Sequence, residues 1–360
     1  MRRNKYVSIW APLRYANYGD DLQAIAFGLM IKEMGYDVKI FQLEDSLSKQ
    51  YGLRSVKTID ELCENTNLCI IAGGALLTPF NILKRTLHRP AIEYERDFRD
   101  LLNATKRYPI KFCAISMGGD GQLRIPWMYY SQSRINFFKS AHFLNGTVRL
   151  QGDVEQMKRF GKDFQYFPDM LFQTPHFFEF EKLQETTKYR IGFNLKKGKY
   201  LDRKLVHDIV TFAQNHDDFE FHFLTTHMEK IGLDYQFLPN VTCSNICIDK
   251  YQSPRQLLGV LASMDVFVTS MLHLGLTGLT VGTPFVSYRG PGKAKSLLRS
   301  IGGDWAIVKD DISFDELRKD IFSFSRSQLY NKYDKKSIER MIVESRCQFD
   351  FCRTIVEEYA

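Results

Sequence analysis

The sequence predicts an α/β protein with two domains and mostly parallel sheets. Short apolar runs of strand length alternate with helical patterns along nearly the whole chain, which is typical of βαβ units. The alternation of strands and helices starts again after Pro175, and a length of 360 residues is sufficient for two domains. Two such halves facing each other would place ligands at the carboxyl ends of their strands, along a cleft.

The first half contains five predicted strands, each an apolar run bounded by polar or turn residues. They lie near Tyr6–Trp10, Asp37–Leu43, Leu68–Ala72, Ile110–Ser116 and Thr147–Leu150. The connecting helices are expected to begin near Asp20, Ile59, Ala91 and Ser133. The first of them opens with two aspartates, which suit the positive end of a helix.

The second half repeats the pattern with five more predicted strands, near Tyr189–Asn194, Glu220–Leu224, Val266–Thr269, Pro284–Ser287 and Trp305–Val308. Between the halves, residues 174–187 carry a proline, aromatic residues and charges, and they are predicted to be a linker. We therefore predict an N-terminal domain over residues 1–174 and a C-terminal domain over residues 188–330. Residues 331–360 are predicted to form helices that pack back on the body.

Charge and cysteine content narrow the class of protein. The 49 basic and 42 acidic side chains give a net charge of +7, a mild bias toward anionic partners, and no basic run is dense enough to indicate nucleic acid binding. No stretch approaches the roughly 20 apolar residues that span a bilayer. The cysteines lie mostly inside apolar runs, as expected of reduced thiols in a cytoplasmic protein. Cys243 and Cys247 lack the further ligands of a structural zinc site, so no metal is expected.

A polar loop follows the first predicted strand and precedes its helix. Asn17, Gly19 and Asp20 lie here, where backbone N–H groups at a helix start point toward any bound anion. The alternative is a tight turn with a helix cap, for which Asn, Gly and Asp are equally suited.

Two glycine clusters follow neighbouring apolar strands. Gly73 and Gly74 end one strand, and the cluster from Gly118 to Gly121 follows the strand that ends at Ser116. Glycines at such positions let a ligand or another backbone segment approach closely. The first cluster is not a dinucleotide-binding fingerprint, because the third glycine and the acidic residue at the required distance are missing.

Arg149 lies at the end of a short strand, just before a helix. A guanidinium group there is suited to hold a carboxylate or a phosphate through two parallel hydrogen bonds. A surface arginine that pairs with a neighbouring aspartate is the alternative.

The stretch from Ser270 to His273 ends an apolar strand and opens a helix of small residues. Ligands of α/β folds bind at this kind of position, although a histidine among apolar residues is often structural. A glycine-rich basic loop with Lys293 follows the next strand, which favours a functional histidine that acts as a general acid while the lysine pairs with an anion.

These motifs together resemble the polysaccharide pyruvyl transferase family, and the resemblance covers nearly the whole chain. The matching pieces are Asn17-Tyr18-Gly19-Asp20, Gly73-Gly74, the Gly118–Gly121 loop, Val148-Arg149, Pro168-Asp169, Ser270 to His273, Gly282-Thr283-Pro284, and Lys293 before Leu297 and Gly302. Lys295 is a possible substitute for Lys293, but the spacing to His273 and Gly302 favours Lys293. Family members often carry Arg where this chain has Met271 and Asp where it has Leu150, which weakens the case for anion contacts at both positions.

The resemblance implies a glycosyltransferase-B-like architecture, with two Rossmann-like domains and a cleft between them. It implies transfer of pyruvate from phosphoenolpyruvate onto two hydroxyls of a sugar in a cell-surface glycan precursor, with a cyclic ketal and phosphate as products. The N-terminal domain would serve the acceptor and the C-terminal domain the donor. Arg149, Lys293 and Ser270 would bind the donor, and no metal or cofactor is required because positive side chains balance its charge.

Further roles follow from the same resemblance. His273 would be the general acid or would assist phosphate departure, and Asp20 or Asp169 would be the base. Asn17, Gly19, Gly73, Gly74, Gly118 and Asp169 would line the cleft. The acceptor would be a lipid-linked oligosaccharide at the inner face of the cytoplasmic membrane, with at most peripheral membrane contact.

Two other functions remain open at this stage. A glycosyltransferase of similar architecture would use a nucleotide sugar, whose diphosphate Ser270, His273 and Lys293 would suit equally well. A sugar- or phosphate-binding protein that has lost the reaction would keep the same domains.

Overall fold

The computed structural model describes residues 6–119, 125–195, 200–229 and 243–360. They divide into two units. The first unit comprises residues 6–14, Asp20–Met170 and Val343–Ala360, and the second comprises Tyr15–Gly19 and Leu171–Ile342. Among the described residues, no helix is both long enough and apolar enough to cross a membrane.

The first unit contains a five-stranded parallel sheet in the order β3-β2-β1-β4-β5. Two further short strands, β6 and β7, pair in parallel beside it. The strands are β1 (Tyr6–Trp10), β2 (Asp37–Phe41), β3 (Arg54–Val56), β4 (Thr66–Ala72), β5 (Lys111–Ile115), β6 (Gly146–Val148) and β7 (Phe164–Tyr166). Helices α1 (Tyr18–Glu33), α2 (Asp45–Tyr51), α3 (Ile59–Cys63), α4 (Ile82–Leu87), α5 (Arg89–Arg107), α6 (Gln132–Lys139) and α7 (Gln151–Arg159) connect them.

The second unit repeats this topology with the parallel order β10-β9-β8-β11-β12. Its strands are β8 (Tyr189–Asn194), β9 (Phe219–Leu224), β10 (Ile246–Asp249), β11 (Val266–Thr269) and β12 (Phe285–Ser287). The remaining helices are α8 (Thr174–Phe177), α9 (Tyr200–Ala213), α10 (Pro254–Ala262), α11 (Leu272–Thr280), α12 (Gly292–Ser300), α13 (Phe314–Leu317), α14 (Arg326–Tyr330) and α15 (Lys335–Tyr359). Both sheets have the Rossmann-like order, so the predicted α/β class with two Rossmann-like units is confirmed.

The strand order of each sheet marks where a ligand is expected to bind. In a sheet of this order the direction of the connections reverses between two central strands, and ligands bind outside the carboxyl ends there. These strands are β1 and β4 in the first unit and β8 and β11 in the second. The loops after β1 and β4 contain Asn17 and Gly73, and β11 is followed by α11, whose second residue is His273.

The core of each unit is rich in aromatic residues, which bury large apolar areas. In the first unit, Phe98, Phe112, Phe137, Phe138 and Phe143 are fully buried and contact one another. In the second unit, Phe193 stacks on Phe223 and Phe221 contacts Phe314. These cores hold the sheets that position the loops.

The secondary structure differs from the sequence prediction in several short segments. The stretch near Trp305–Val308 is a short 3-10 turn, Asp304–Ala306, with a single bridge from Ser287 to Ile307 in place of a strand. Strands β3 and β10 lie at the sheet edges and were not predicted, because short edge strands mix polar and apolar residues. Strand β6 ends at Val148, so Arg149 lies just beyond it.

Candidate functional site

In the second unit, the segment around Asn17 pairs with the segment around His227. The Asn17 side-chain oxygen accepts a hydrogen bond from the Gly19 N–H at 3.0 Å, which caps the start of α1. The Asn17 amide nitrogen therefore faces Nε2 of His227, at 3.0 Å. The Tyr18 N–H donates to the Thr226 carbonyl at 2.8 Å. The turn-and-cap interpretation of this loop is thus correct, and the same loop also contacts a histidine.

The contacts of His227 assign its tautomer. Because Nε2 accepts from the Asn17 amide, Nδ1 carries the proton and donates to the Thr226 hydroxyl, 3.1 Å away. His227 follows the carboxyl end of β9 just as His273 follows that of β11. His227 was not among the residues predicted from the sequence, because no glycine surrounds it, but its position after an apolar strand was a usable signal.

His273 is the second residue of α11 and is half-buried. A Cβ atom added to Gly19 would lie 1.8 Å from Nδ1 of His273, so the imidazole packs directly on the Gly19 backbone. Behind it, the Tyr18 hydroxyl donates to the Thr277 hydroxyl at 3.0 Å, and that hydroxyl donates to the His273 carbonyl at 2.8 Å. The imidazole can therefore occupy this position only because residue 19 is a glycine and has no Cβ atom.

Ser270 and Lys293 lie at the carboxyl ends of neighbouring strands, β11 and β12. Ser270 is buried, and its N–H donates to the carbonyl of Asn194 at 3.1 Å. Lys293 is the second residue of α12, which has nine residues. The first turns of α11 and α12 carry the positive ends of their helix dipoles, which favour anions.

Backbone strain occurs in the loops of the predicted site. Ala16, Ser116 and Arg289 have φ values of 42°, 55° and 51°. For residues other than glycine, this conformation costs on the order of 1–3 kcal/mol and often marks functional segments. The three residues precede Asn17, Gly118 and Lys293, and this placement supports a functional role for these loops.

In the first unit, Arg149 and Asp169 form a buried ion pair. Nη1 of Arg149 lies 2.9 Å from Oδ2 of Asp169, and Arg149 is 5% exposed. A Cβ atom on Gly118 would lie 2.5 Å from Nε of Arg149, so Gly118 lets the guanidinium approach the backbone. The Gly118 N–H in turn donates to the carbonyl of Gly74 at 3.0 Å. Arg149 is therefore paired with an aspartate, as in the alternative interpretation, but it is buried and its partner lies 20 residues further along the chain.

The remaining predicted residues of the first unit lie in adjoining loops. Gly73 has a φ of 57°, and a Cβ atom there would lie 1.5 Å from Oε1 of Gln23. Asp20 lies in the first turn of α1. The Gly119 N–H donates to Asp153 at 2.7 Å, whereas Asp120 and Gly121 fall outside the described residues.

The structure thus brings the predicted residues together in two groups, one within each unit. Gly74, Gly118, Arg149 and Asp169 are connected in the first unit. Asn17, Gly19 and His273 are connected in the second, with Ser270 and Lys293 on neighbouring strand ends.

Comparison of the sequence with protein families gives a match over most of the chain. A family model described as polysaccharide pyruvyl transferase matches residues 17–289, which is more than half of the chain. The comparison with curated proteins finds no match.

Comparison with solved structures shows the fold. A UDP-GlcNAc 2-epimerase from Methanocaldococcus jannaschii has a TM-score of 0.56 at 10% identity, covering 94% of this chain and 98% of that chain. The enzyme of that name from Neisseria meningitidis, bound to UDP-GlcNAc, has a TM-score of 0.55 at 9% identity over 98% of this chain and 100% of that one. A glycosyltransferase from Rickettsia africae ESF-5 has a TM-score of 0.52 at 11% identity, covering 100% of this chain and 98% of that chain. These likenesses confirm a glycosyltransferase-B-like fold.

Proposed function

This chain belongs to the polysaccharide pyruvyl transferase family, and we propose that it transfers pyruvate from phosphoenolpyruvate onto two hydroxyls of a sugar in a cell-surface glycan precursor. The products are a cyclic ketal and inorganic phosphate. The observation that carries the proposal is the fixed position of His273, which packs on the Gly19 backbone at the start of α11.

The proposed reaction balances with the donor and a diol alone. A proton adds to the methylene carbon of phosphoenolpyruvate, and the neighbouring carbon becomes a cation that the first sugar hydroxyl attacks. Phosphate then leaves with the electrons of its C–O bond, and the second hydroxyl captures the regenerated cation. Of the two hydroxyl protons released, one balances the new methyl group and the other goes to phosphate.

His273 is the proposed proton donor to the methylene carbon or to the departing phosphate. An imidazole exchanges protons near neutral pH, and a positioned acid of this kind contributes typically about 10²–10⁴-fold to the rate. Its contact with Gly19 limits its movement and thereby supports a fixed direction of proton transfer. Its place in the first turn of α11 suits an anionic substrate group.

Positive groups would hold the donor, which carries up to three negative charges. We assign Lys293 and the N–H groups of the α12 start to one anionic group, with Ser270 as a hydrogen-bond donor. Arg149 is also proposed to bind an anion, and Asp169 orients its guanidinium through their ion pair. Asp20, in the first turn of α1, is the proposed base that deprotonates the sugar hydroxyls.

The acceptor is proposed to be a sugar of a lipid-linked oligosaccharide at the inner face of the cytoplasmic membrane. One surface of the first unit supports peripheral membrane contact. On α4, Ile82, Leu83 and Leu87 are 59%, 65% and 74% exposed, and Lys84 lies between them. Apolar side chains mixed with basic ones suit the surface of an anionic membrane.

A nucleotide-sugar-dependent glycosyltransferase is the second candidate, because several solved structures of the same fold carry UDP-sugar names in their descriptions. Donor binding separates the two functions. We expect phosphoenolpyruvate to raise the melting temperature, since a ligand at a hundred times its Kd adds about 2.7 kcal/mol to stability. UDP-sugars should give no comparable shift.

Two lysines of α12 provide a matched comparison in the same thermal measurement. Lys293→Ala should abolish the shift caused by phosphoenolpyruvate, whereas Lys295→Ala should retain it. Stabilisation of the wild type by a UDP-sugar, with none by phosphoenolpyruvate, would instead establish the second candidate.

A further inference from the structure

A cluster of potential metal ligands lies on β9 and β10, at the edge of the second sheet. Glu220 and His222 are two residues apart on β9 and therefore face the same side of the sheet. Cys247 on β10 is the register partner of His222, so its side chain lies beside the imidazole on that face.

The separations between these side chains fit a tetrahedral zinc site. Sγ of Cys247 lies 3.7 Å from Oε1 of Glu220, and Nε2 of His222 lies 3.6 Å from Oε2 of the same carboxylate. The three ligand atoms all lie within 4.8 Å of one another. Zinc bonds of about 2.0–2.3 Å in a tetrahedron place ligand atoms roughly 3.3–3.8 Å apart. Small side-chain adjustments would therefore complete the geometry.

His222 is oriented as metal-binding histidines commonly are. Its Nδ1 is 2.7 Å from Oδ2 of Asp249, a carboxylate contact that fixes the ring and leaves Nε2 for another partner. His222 is 2% exposed, and Nε2 has no hydrogen-bond partner among the described residues. A buried polar atom without a partner costs about 1–3 kcal/mol, so this nitrogen points to a ligand.

Arg190 forms an ion pair with the carboxylate of Glu220. Its Nε lies 2.6 Å from Oε2 of Glu220, and another of its nitrogens donates to the Gln184 carbonyl at 2.7 Å. This contact orients the carboxylate while Oε1 continues to face Cys247. Without a metal, the alternative is a metal-free imidazole that lies between the carboxylates of Glu220 and Asp249.

We propose that this cluster binds one Zn²⁺ through Nε2 of His222, Sγ of Cys247 and the carboxylate of Glu220. The donor set of imidazole, thiolate and carboxylate is one that zinc accepts. Asp249 and Arg190 act as positioning residues that touch the ligands. The metal links two neighbouring strands, β9 and β10, so its expected effect is to stabilise the sheet edge, and it takes no part in pyruvyl transfer.

The test uses the full chain, stripped of metal and titrated with Co²⁺ as a spectroscopic probe. Cobalt in such a site gives visible ligand-field bands and a near-ultraviolet thiolate charge-transfer band, both removed by added Zn²⁺. We expect saturation at one equivalent in the wild type. Cys247→Ser should lose the charge-transfer band and weaken binding at least tenfold.

Cys243→Ser is the matched control, because Cys243 is also half-buried but bonds to Asn245 and does not face the cluster. It should bind Co²⁺ as the wild type does. Asp249→Asn should weaken binding about 10–100-fold with the charge-transfer band retained, as expected when a group that orients a ligand is removed. Failure of the wild type to bind Co²⁺ or Zn²⁺, or equal binding by Cys247→Ser, would overturn the proposal in favour of the metal-free imidazole.

Discussion

Replacement of His273 by alanine is expected to slow pyruvyl transfer by about 10²–10⁴-fold, the usual contribution of a positioned acid or base. The substitution removes the imidazole at the start of α11 and leaves both Rossmann-like cores unchanged, because His273 is only half-buried. The melting temperature should therefore remain close to that of the wild type. The measurement is the rate of phosphate release from phosphoenolpyruvate with a saturating sugar acceptor.

His207→Ala is the control for this prediction. His207 lies on α9 of the same unit and is exposed, so its loss should leave the rate unchanged. His273→Gln adds a second comparison, since glutamine keeps hydrogen bonding but does not transfer protons near neutral pH. A loss below tenfold in both His273 variants would remove this residue from the chemistry.

Gly19→Ala is expected to lower kcat by about 10²-fold, because a displacement of roughly 1 Å in a catalytic group has an effect of that size. The added Cβ atom would lie 1.8 Å from Nδ1 of His273, far inside van der Waals contact, so the imidazole must move. We expect KM for phosphoenolpyruvate to change little. Gly278→Ala on α11 is the matched control, since its Cβ atom would meet the Thr283 carbonyl oxygen at an ordinary 3.5 Å.

Combining Gly19→Ala with His273→Ala separates positioning from a general structural effect. If Gly19 acts through His273, the double variant should be no slower than His273→Ala alone, since residues in contact give non-additive effects. Additive losses in the double variant, or a large drop in the melting temperature of Gly19→Ala, would show that Gly19 supports the fold and has no specific effect on the imidazole.

The central strands could be predicted from the sequence, whereas the edge strands β3 and β10 could not. Strands β8 and β11 have the predicted bounds, because the apolar residues of buried parallel strands form a recognisable pattern. Strand β10 has one exposed and three half-buried residues, so its Ile-Cys-Ile-Asp pattern gave no clear signal. The apolar pattern near Trp305–Val308 instead belongs to a turn that packs its tryptophan on Tyr333.

Motifs could place the candidate residues on loops, but they could not give the contacts between distant parts of the chain. The contact of Gly19 with His273 joins a helix start near the beginning of the chain to one in its second half. The ion pair of Arg149 and Asp169 likewise depends on folding. Cys247 was considered with Cys243 for its spacing, whereas the side chains that face it come from β9 through strand register.

Transfer of pyruvate from phosphoenolpyruvate to a sugar diol can be measured by mass spectrometry of the acceptor. Galactose, mannose and glucosamine acceptors are incubated with the wild-type protein and phosphoenolpyruvate, and phosphate release is measured in parallel. We predict an acceptor whose mass gain matches a pyruvate ketal, formed in equal amount to the phosphate and absent with His273→Ala. An acceptor that instead gains a sugar from a UDP-sugar, with no ketal formed from phosphoenolpyruvate, would contradict this account.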